Sequence, residues 1–484
     1  MRWPLLASPS IGAVLVASAC SAGESASPET PVPPPPDASA SGGPTFAKDV
    51  EPLVQEKCQR CHRPGGIAPF SLVSYEEVRA MGNIARVKVE AREMPPWGAF
   101  DDDDCKVQHS FKDDLSLSDE QIATFGRWVE GGMPLGDPAQ RPPPKTDFGA
   151  TDLGEGAESF GLAKPHTVAP GPDDIRCFAV DPGFTSDTWI NATNVVPGDP
   201  RVVHHVIVYL DPNKEGPAKA GAEGSYKCFG GPGLQATPTI LLAWAPGVPP
   251  SDYGADAALK VPKDSGLVLQ VHYHPTQEKT TDQTKFELKR LTEPPKQVAQ
   301  VVLAGNARDA EGSNNGGRIK LLPGTDDPPS GPAFFIPAGR AAHKESMVLE
   351  VPKVGGFPFT VNIAAVGAHM HWAGVDLKMD IERKDPKNGP KNECLLGVPK
   401  YDFNWQRGYV YDAPPEELPT LSDGDKVTFT CTYDNTMQNR HVANALLTIP
   451  GATQPVDLGL GESTDEEMCL GVLVTLRPFI AGFD

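Results

Sequence analysis

A chain of 484 residues is too long for a single hydrophobic core, and roughly three domains is the expectation for that length. Its 52 prolines and 48 glycines favour many short elements joined by turns over long helices. A formal net charge of −20 argues against a nucleic-acid partner, which needs clustered Lys and Arg, and reads instead as solubility.

The N-terminus reads as an export signal over residues 1–20. Arg2 is followed by an apolar run, residues 5–16, that is too short to span a bilayer. Small residues come next, and Ala17-Ser18-Ala19-Cys20 resembles a bacterial lipoprotein signal in which Cys20 is lipidated after cleavage. Plain secretion with cleavage near the same place is the alternative. Residues 21–45, rich in Pro, Ala and Ser, cannot bury enough apolar surface to fold and read as a disordered tether. The expectation is an exported chain facing the periplasm or outer membrane, touching the membrane only through this lipid anchor.

Cys58-Gln59-Arg60-Cys61-His62 has the C-x-x-C-H spacing of covalent haem attachment. Two thiols form thioethers to the haem vinyl groups, and the adjacent His62 reaches the iron. Phe46, Val50, Leu53 and Val54 fall on one helical face leading into the motif. A second helix is expected after residue 118, capped by Ser116 or Ser118, with Ile122, Phe125 and Val129 inward. Residues 46–137 therefore resemble a small all-α cytochrome c domain. Met94, held by the two prolines after it, is the expected second axial ligand, with Met81, His109 and Met133 as rivals. Met/His ligation points to electron transfer.

Nine cysteines are present. With Cys20 set aside for lipid and Cys58 and Cys61 for haem, the remainder is Cys105, Cys177, Cys228, Cys394, Cys431 and Cys469. An even remainder in an exported chain permits disulfides but does not choose their pairing.

Past a linker over residues 138–165, short runs of alternating apolar and polar residues end in Gly, Pro, Asn or Asp, an all-β sandwich pattern expected twice, over residues 166–290 and 291–484. Six of the 11 histidines cluster on these runs: His204-His205, His272 with His274, and His369 with His371. Residues two apart on a strand share a face, so His369 and His371 can chelate one metal. His204 and His205 can share a metal only where the strand bends or ends. Imidazole suits copper and zinc, and a Met ligand favours copper.

The ordered motifs VVHHVIVY, ILLAWAPGVPP, LVLQVHYHP, HMHWAG and DEEMCLGVLV resemble the copper type II, ascorbate-dependent monooxygenase family over roughly residues 170–484. The resemblance implies two jelly-roll-like domains across a cleft, each with one copper. It implies His204, His205 and His272 as ligands of the first, electron-transfer copper, with no required role for His274. It implies His369, His371 and Met468 as ligands of the second, where oxygen and substrate react. It also implies a Cys431–Cys469 disulfide beside Met468. The expected cofactors are two coppers and one haem c per chain. The expected activity is hydroxylation of a C–H bond of an unidentified small organic substrate with O2, with electrons passing from a periplasmic donor through the haem to the first copper. Gly367 stands where the amidating members carry a substrate-binding Arg, and Leu470 and Val472 stand where they carry Asn and Tyr. A glycine-extended peptide is thus an unexpected substrate, and an uncharged or hydrophobic one fits better. The aromatic stretch YDFNWQRGY, residues 401–409, either lines the cleft or simply packs. The rival reading is a haem–copper electron-transfer or copper-binding protein without oxygenase activity; a zinc-stapled sandwich lacks the Cys-rich spacing such sites use.

Overall fold

The alternating runs of the second half become strands that assemble into two stacked layers. The computed structural model describes residues 42–148, 152–171, 173–228, 231–235, 239–246, 248–353, 359–446, 453–461 and 466–481. The signal, Cys20 and most of the tether lie outside these residues.

The longest sheet has ten strands. Strands Thr188–Val196, Ala257–Val261 and Lys285–Leu291 lead through Gln297–Gly305 into Leu470–Pro478 and Thr360–His369. The junction is a short parallel pairing of residues 297–299 with 257–259, so the two β halves share one continuous layer. Each half adds a five-stranded sheet over its part of that layer. In the first, Gly266–Tyr273 is buried along its length because Asp174–Val180 and Val203–Asp211 flank it. In the second, Lys426–Tyr433 lies between His343–Glu350 and Gly374–Glu382. One apolar cluster runs through both halves, from Ile190, Val208 and Leu269 to Ile363, Phe429 and Leu473. The β-rich part is thus built from one ten-stranded and two five-stranded sheets.

The expectation of a small all-α cytochrome c domain in front is corrected. Across the described residues the chain forms 24 strands and only five α-helices, and the helical region is not self-contained. Three helices do form: α1 (Glu51–Lys57), α2 (Tyr75–Glu90) and α3 (Asp119–Glu130). Capping boxes at Ser74/Glu77 and Ser118/Gln121 start α2 and α3 by satisfying N-terminal N–H groups. Phe46, Val50, Val54, Phe125 and Trp128 bury against one another. Between α2 and α3, however, the chain leaves the helices and joins the β half. Trp97, Ala99, Phe111 and Leu115 belong to the β core. Val107 bridges Cys394, Phe111 bridges Tyr411, and Cys105 is disulfide-bonded to Cys394.

Cys177–Cys228 and Cys431–Cys469 complete three disulfides, which persist in oxidising compartments and fit an exported chain. Cys58 and Cys61 take no part in a disulfide. No helix among the described residues is long and apolar enough to cross a membrane.

Candidate metal centre

The first histidine cluster is built where a strand pairing slips. Val203–Asp211 and Gly266–Tyr273 run in register up to His205 opposite His272, and the register then shifts so that Tyr273 faces Val203. The extra residue is His204. A bulge turns neighbouring side chains toward the same side, which regular strand geometry forbids. His204 Nδ1 and His272 Nδ1 each lie 3.3 Å from His205 Nδ1. The ligand atoms of these three residues all fall within 4.8 Å of one another.

The protonation of this cluster suits a metal. Burial, then the electrostatic effect of the neighbouring His272, pulls His204 down to about 4. Burial holds His205 well below its ordinary value as well. Both imidazoles are thus neutral near pH 7, as ligation requires. His272 Nε2 donates to Asp173 Oδ2 at 2.7 Å, which leaves its Nδ1 lone pair facing the cluster. His274 Nδ1 lies 2.8 Å from the other Asp173 oxygen and is raised by that bond. Burial opposes ionisation of Asp173, but the two histidine bonds hold its carboxyl well below the usual range.

The second cluster presents the other imidazole nitrogen. His369, at the end of Thr360–His369, has its Nδ1 bound by Gln406 Oε1 at 2.6 Å. His371 Nδ1 lies 2.9 Å from the Glu466 carbonyl. Both contacts are made through Nδ1, and the rings are 5.3 Å apart. Glu467 is buried and accepts backbone N–H bonds from His371 (2.8 Å), Ala373 (2.7 Å) and Met468 (3.1 Å). Burial pushes its carboxyl up to about 8, against the pull of those donors. Tyr433 donates its hydroxyl to the Met468 carbonyl at 2.8 Å, and the Cys431–Cys469 bond fixes the next residue. One buried carboxyl group therefore ties the H-x-H turn to Met468.

The two clusters are neighbours. The Phe403 ring lies 6.1 Å from His204 and 6.4 Å from His371. Asn404 hydrogen-bonds His204. The aromatic stretch over residues 401–409 thus lines the centre as well as packing. The positions that depart from the amidating pattern adjoin it, with Gly367 paired to Val472 and His369 to Leu470. A Cβ at Gly367 would lie 3.3 Å from Val472 Cβ, so the small residue and its partner fit together. A cavity of about 600 Å³ opens beside Gln406 and Ala368. Arg92, Lys400, Asp402 and Arg440 also border it.

The haem motif follows α1, whose C-cap is Cys58. His62 Nδ1 lies 3.2 Å from the Phe70 carbonyl, which leaves Nε2 for an axial bond. Five of the eleven exposed large apolar side chains among the described residues, Ile67, Phe70, Val73, Ile84 and Val87, fall in this short segment. Met94 is half-buried just beyond α2, its N–H on the Lys88 carbonyl at 3.2 Å. Among its rivals, Met133 packs against Gly82 and Trp128, Met81 joins the same helical cluster, and His109 lies 6.3 Å from Tyr411 in the β half. Cys61 shares a small void with Pro246 and Val248 of the first β half and with Trp405, Gln406 and Arg407 of the second.

Asp173, Gln406, Glu467 and Phe403 are the site residues that sequence reasoning did not single out. The aromatic stretch signalled two of them; nothing local marks a carboxylate that acts 99 residues away, as Asp173 does on His272.

No protein-family model and no curated protein matches the chain. Among solved structures, the chain is similar to the major capsid protein P2 of bacteriophage PM2 at 8% identity, covering 67% of this chain and 99% of that one, with a TM-score of 0.24. An allantoicase aligns at 10% identity over 53% of this chain and 76% of its own, with a TM-score of 0.15. The tandem CBM22 domains of Paenibacillus barcinonensis Xyn10C align at 10% identity over 66% and 97%, with a TM-score of 0.16. Likenesses this weak say nothing about the chemistry of this chain.

Proposed function

We propose that the chain is an exported copper-dependent monooxygenase, similar to the type II ascorbate-dependent enzymes, that carries a c-type haem on the same polypeptide. The observation that carries the reading is the pairing of two unlike imidazole sets across Phe403. Three Nδ1 atoms converge in one set, and in the other Gln406 and the Glu466 carbonyl engage the Nδ1 atoms of His369 and His371. Bound copper would supply dioxygen chemistry that puts one oxygen atom into a C–H bond and reduces the other to water, with haem iron supplying electrons from a periplasmic donor. The residues do the positioning. Asp173 fixes the tautomer of His272, Gln406 fixes that of His369, and Glu467 sets His371 and Met468 in one frame. Phe403 keeps an apolar ring between the clusters, which limits water there. The substrate is a small organic molecule, and a lipid anchor at Cys20 would hold the enzyme at the periplasmic or outer-membrane surface.

The test uses the full chain matured with haem and loaded with copper. Oxygen consumption is followed with a panel running from uncharged hydrophobic compounds to carboxylates. Uptake that depends on an added organic substrate, and that disappears in His369→Ala, is the expected result. Retention of copper with no substrate-dependent uptake would overturn the oxygenase reading and leave an electron-transfer or copper-binding protein.

A further inference from the structure

Among the described residues Arg407 makes no ion pair, and the Asp113 carboxylate acts on it only through space. Its Nε is enclosed and has no hydrogen-bond partner. Its Nη1 makes one long bond, 3.3 Å, to the Pro96 carbonyl, and its guanidinium carbon lies 4.6 Å from the centre of the Trp97 ring. The other cations nearby are engaged. Arg60 pairs with Asp113 at 3.6 Å, Arg440 with Asp402 and Glu93, and Arg92 with Asp119. Arg63 donates to the Arg60 carbonyl and lies 4.5 Å from the Phe148 ring centre. An enclosed guanidinium is costly without a counter-charge, and stacking on Trp97 offsets only part of that cost.

Its position gives the charge a use. Arg407 and Cys61 line the same small void as Trp405 and Gln406. Gln406, the preceding residue, holds His369 Nδ1.

We propose that the Gln406–Arg407 pair is the junction between the haem on Cys58 and Cys61 and the second metal site. Arg407 is a positioning residue whose fixed positive charge raises the haem reduction potential, and Gln406 orients His369 on the opposite side. The haem therefore adjoins the His369 site rather than the His204 cluster alone. A nearby positive charge favours the ferrous over the ferric form, because ferric iron carries the additional charge and the intervening protein screens weakly. The inference rests on the haem part of the proposed function and not on its oxygen chemistry.

The experiment is a redox titration of the full chain with covalent haem, in wild type, Arg407→Gln and Arg407→Lys. The midpoint potential should fall in Arg407→Gln and stay near wild type in Arg407→Lys, with both variants matching wild type in circular dichroism. Silver(I), a redox-inert stand-in for copper(I), is then added. It should raise the haem potential of wild type and of a His204→Ala/His272→Ala variant, but not of a His369→Ala/His371→Ala variant. An unchanged potential in Arg407→Gln, or a silver response that follows the first cluster, overturns the junction while leaving the haem assignment standing. Absence of covalent haem in a pyridine haemochrome assay overturns both.

Discussion

Asp173 and Glu467 do the same work at the two clusters by different routes. Asp173 grips a ring nitrogen, so its effect is on the tautomer and orientation of His272. Asp173→Asn keeps the shape but removes the charge that favours Nε2–H, and copper affinity at the first site should drop about 10- to 100-fold. A competition titration against a copper chelator reads this directly. Glu467 instead grips main-chain N–H groups on both sides of the second site. Glu467→Gln sets an amide NH2 against one group of donors and should cost about 1–3 kcal/mol of stability, with copper lost from the second site and kept at the first. Urea denaturation and metal analysis after dialysis separate the two effects. His343 gives a pH signature unrelated to metal. Burial pulls it down, but Glu345 and Asp326, each 3.0 Å from a ring nitrogen, override this and hold it above 6.5. A raised folded value stabilises the protein fully below the ordinary value and is lost as pH rises through the folded one. His343→Gln should therefore destabilise most near pH 6 and progressively less in alkaline solution; a gap that widened with pH would contradict the assignment.

At the scale of elements, alternation and spacing make some features readable and leave others dark. The strands follow a period of two, which is local, so the sequence shows them, whereas His371 lies just past the end of Thr360–His369. The caps of α2 and α3 are local too. The parallel pairing of residues 297–299 with 257–259 is not, because nothing in either run names the other. The same holds for Gln406 on His369, a contact made by a loop that reads equally as packing. The bulge at His204 was legible only as a condition: two adjacent histidines needed an irregular strand, and the sequence could not say where the irregularity lay. The approach of the two sheets at Gly471 is likewise hidden. A Cβ there would collide with the Phe429 ring and come within 2.8 Å of the Met379 methyl. Gly471→Ala should cost about 1–3 kcal/mol by overpacking. Because Leu470–Pro478 begins directly after Met468 and Cys469, the same variant should weaken copper at the second site. A urea midpoint equal to wild type would mean that the sheets are less tightly opposed than this.

The whole molecule joins two apolar cores of different size through one irregular stretch. The helices have a small cluster of their own, while the segment between α2 and α3 is built into the β core. That arrangement defeated the reading of residues 46–137 as a free-standing helical domain. The composition of the helices is right for one, but Trp97, Phe111 and Leu115 are spent elsewhere, with Phe111 stacked 5.2 Å from Tyr411. The helices should then unfold before the β core yet not independently of it, since Cys105–Cys394 pins the connecting segment across 289 residues of sequence. Cutting that bond with a Cys105→Ser/Cys394→Ser variant removes a constraint worth at most about 5 kcal/mol, and its loss should fall mainly on the small core. Hydrogen exchange across a urea series reads this segment by segment. In wild type, α2 and α3 should lose protection at slightly lower urea than Val203–Asp211 and Gly266–Tyr273. In the variant, that interval should widen, with the histidine-bearing strands unchanged. Equal loss in both regions would instead make the disulfide a global restraint, and the helices and sheets one cooperative unit.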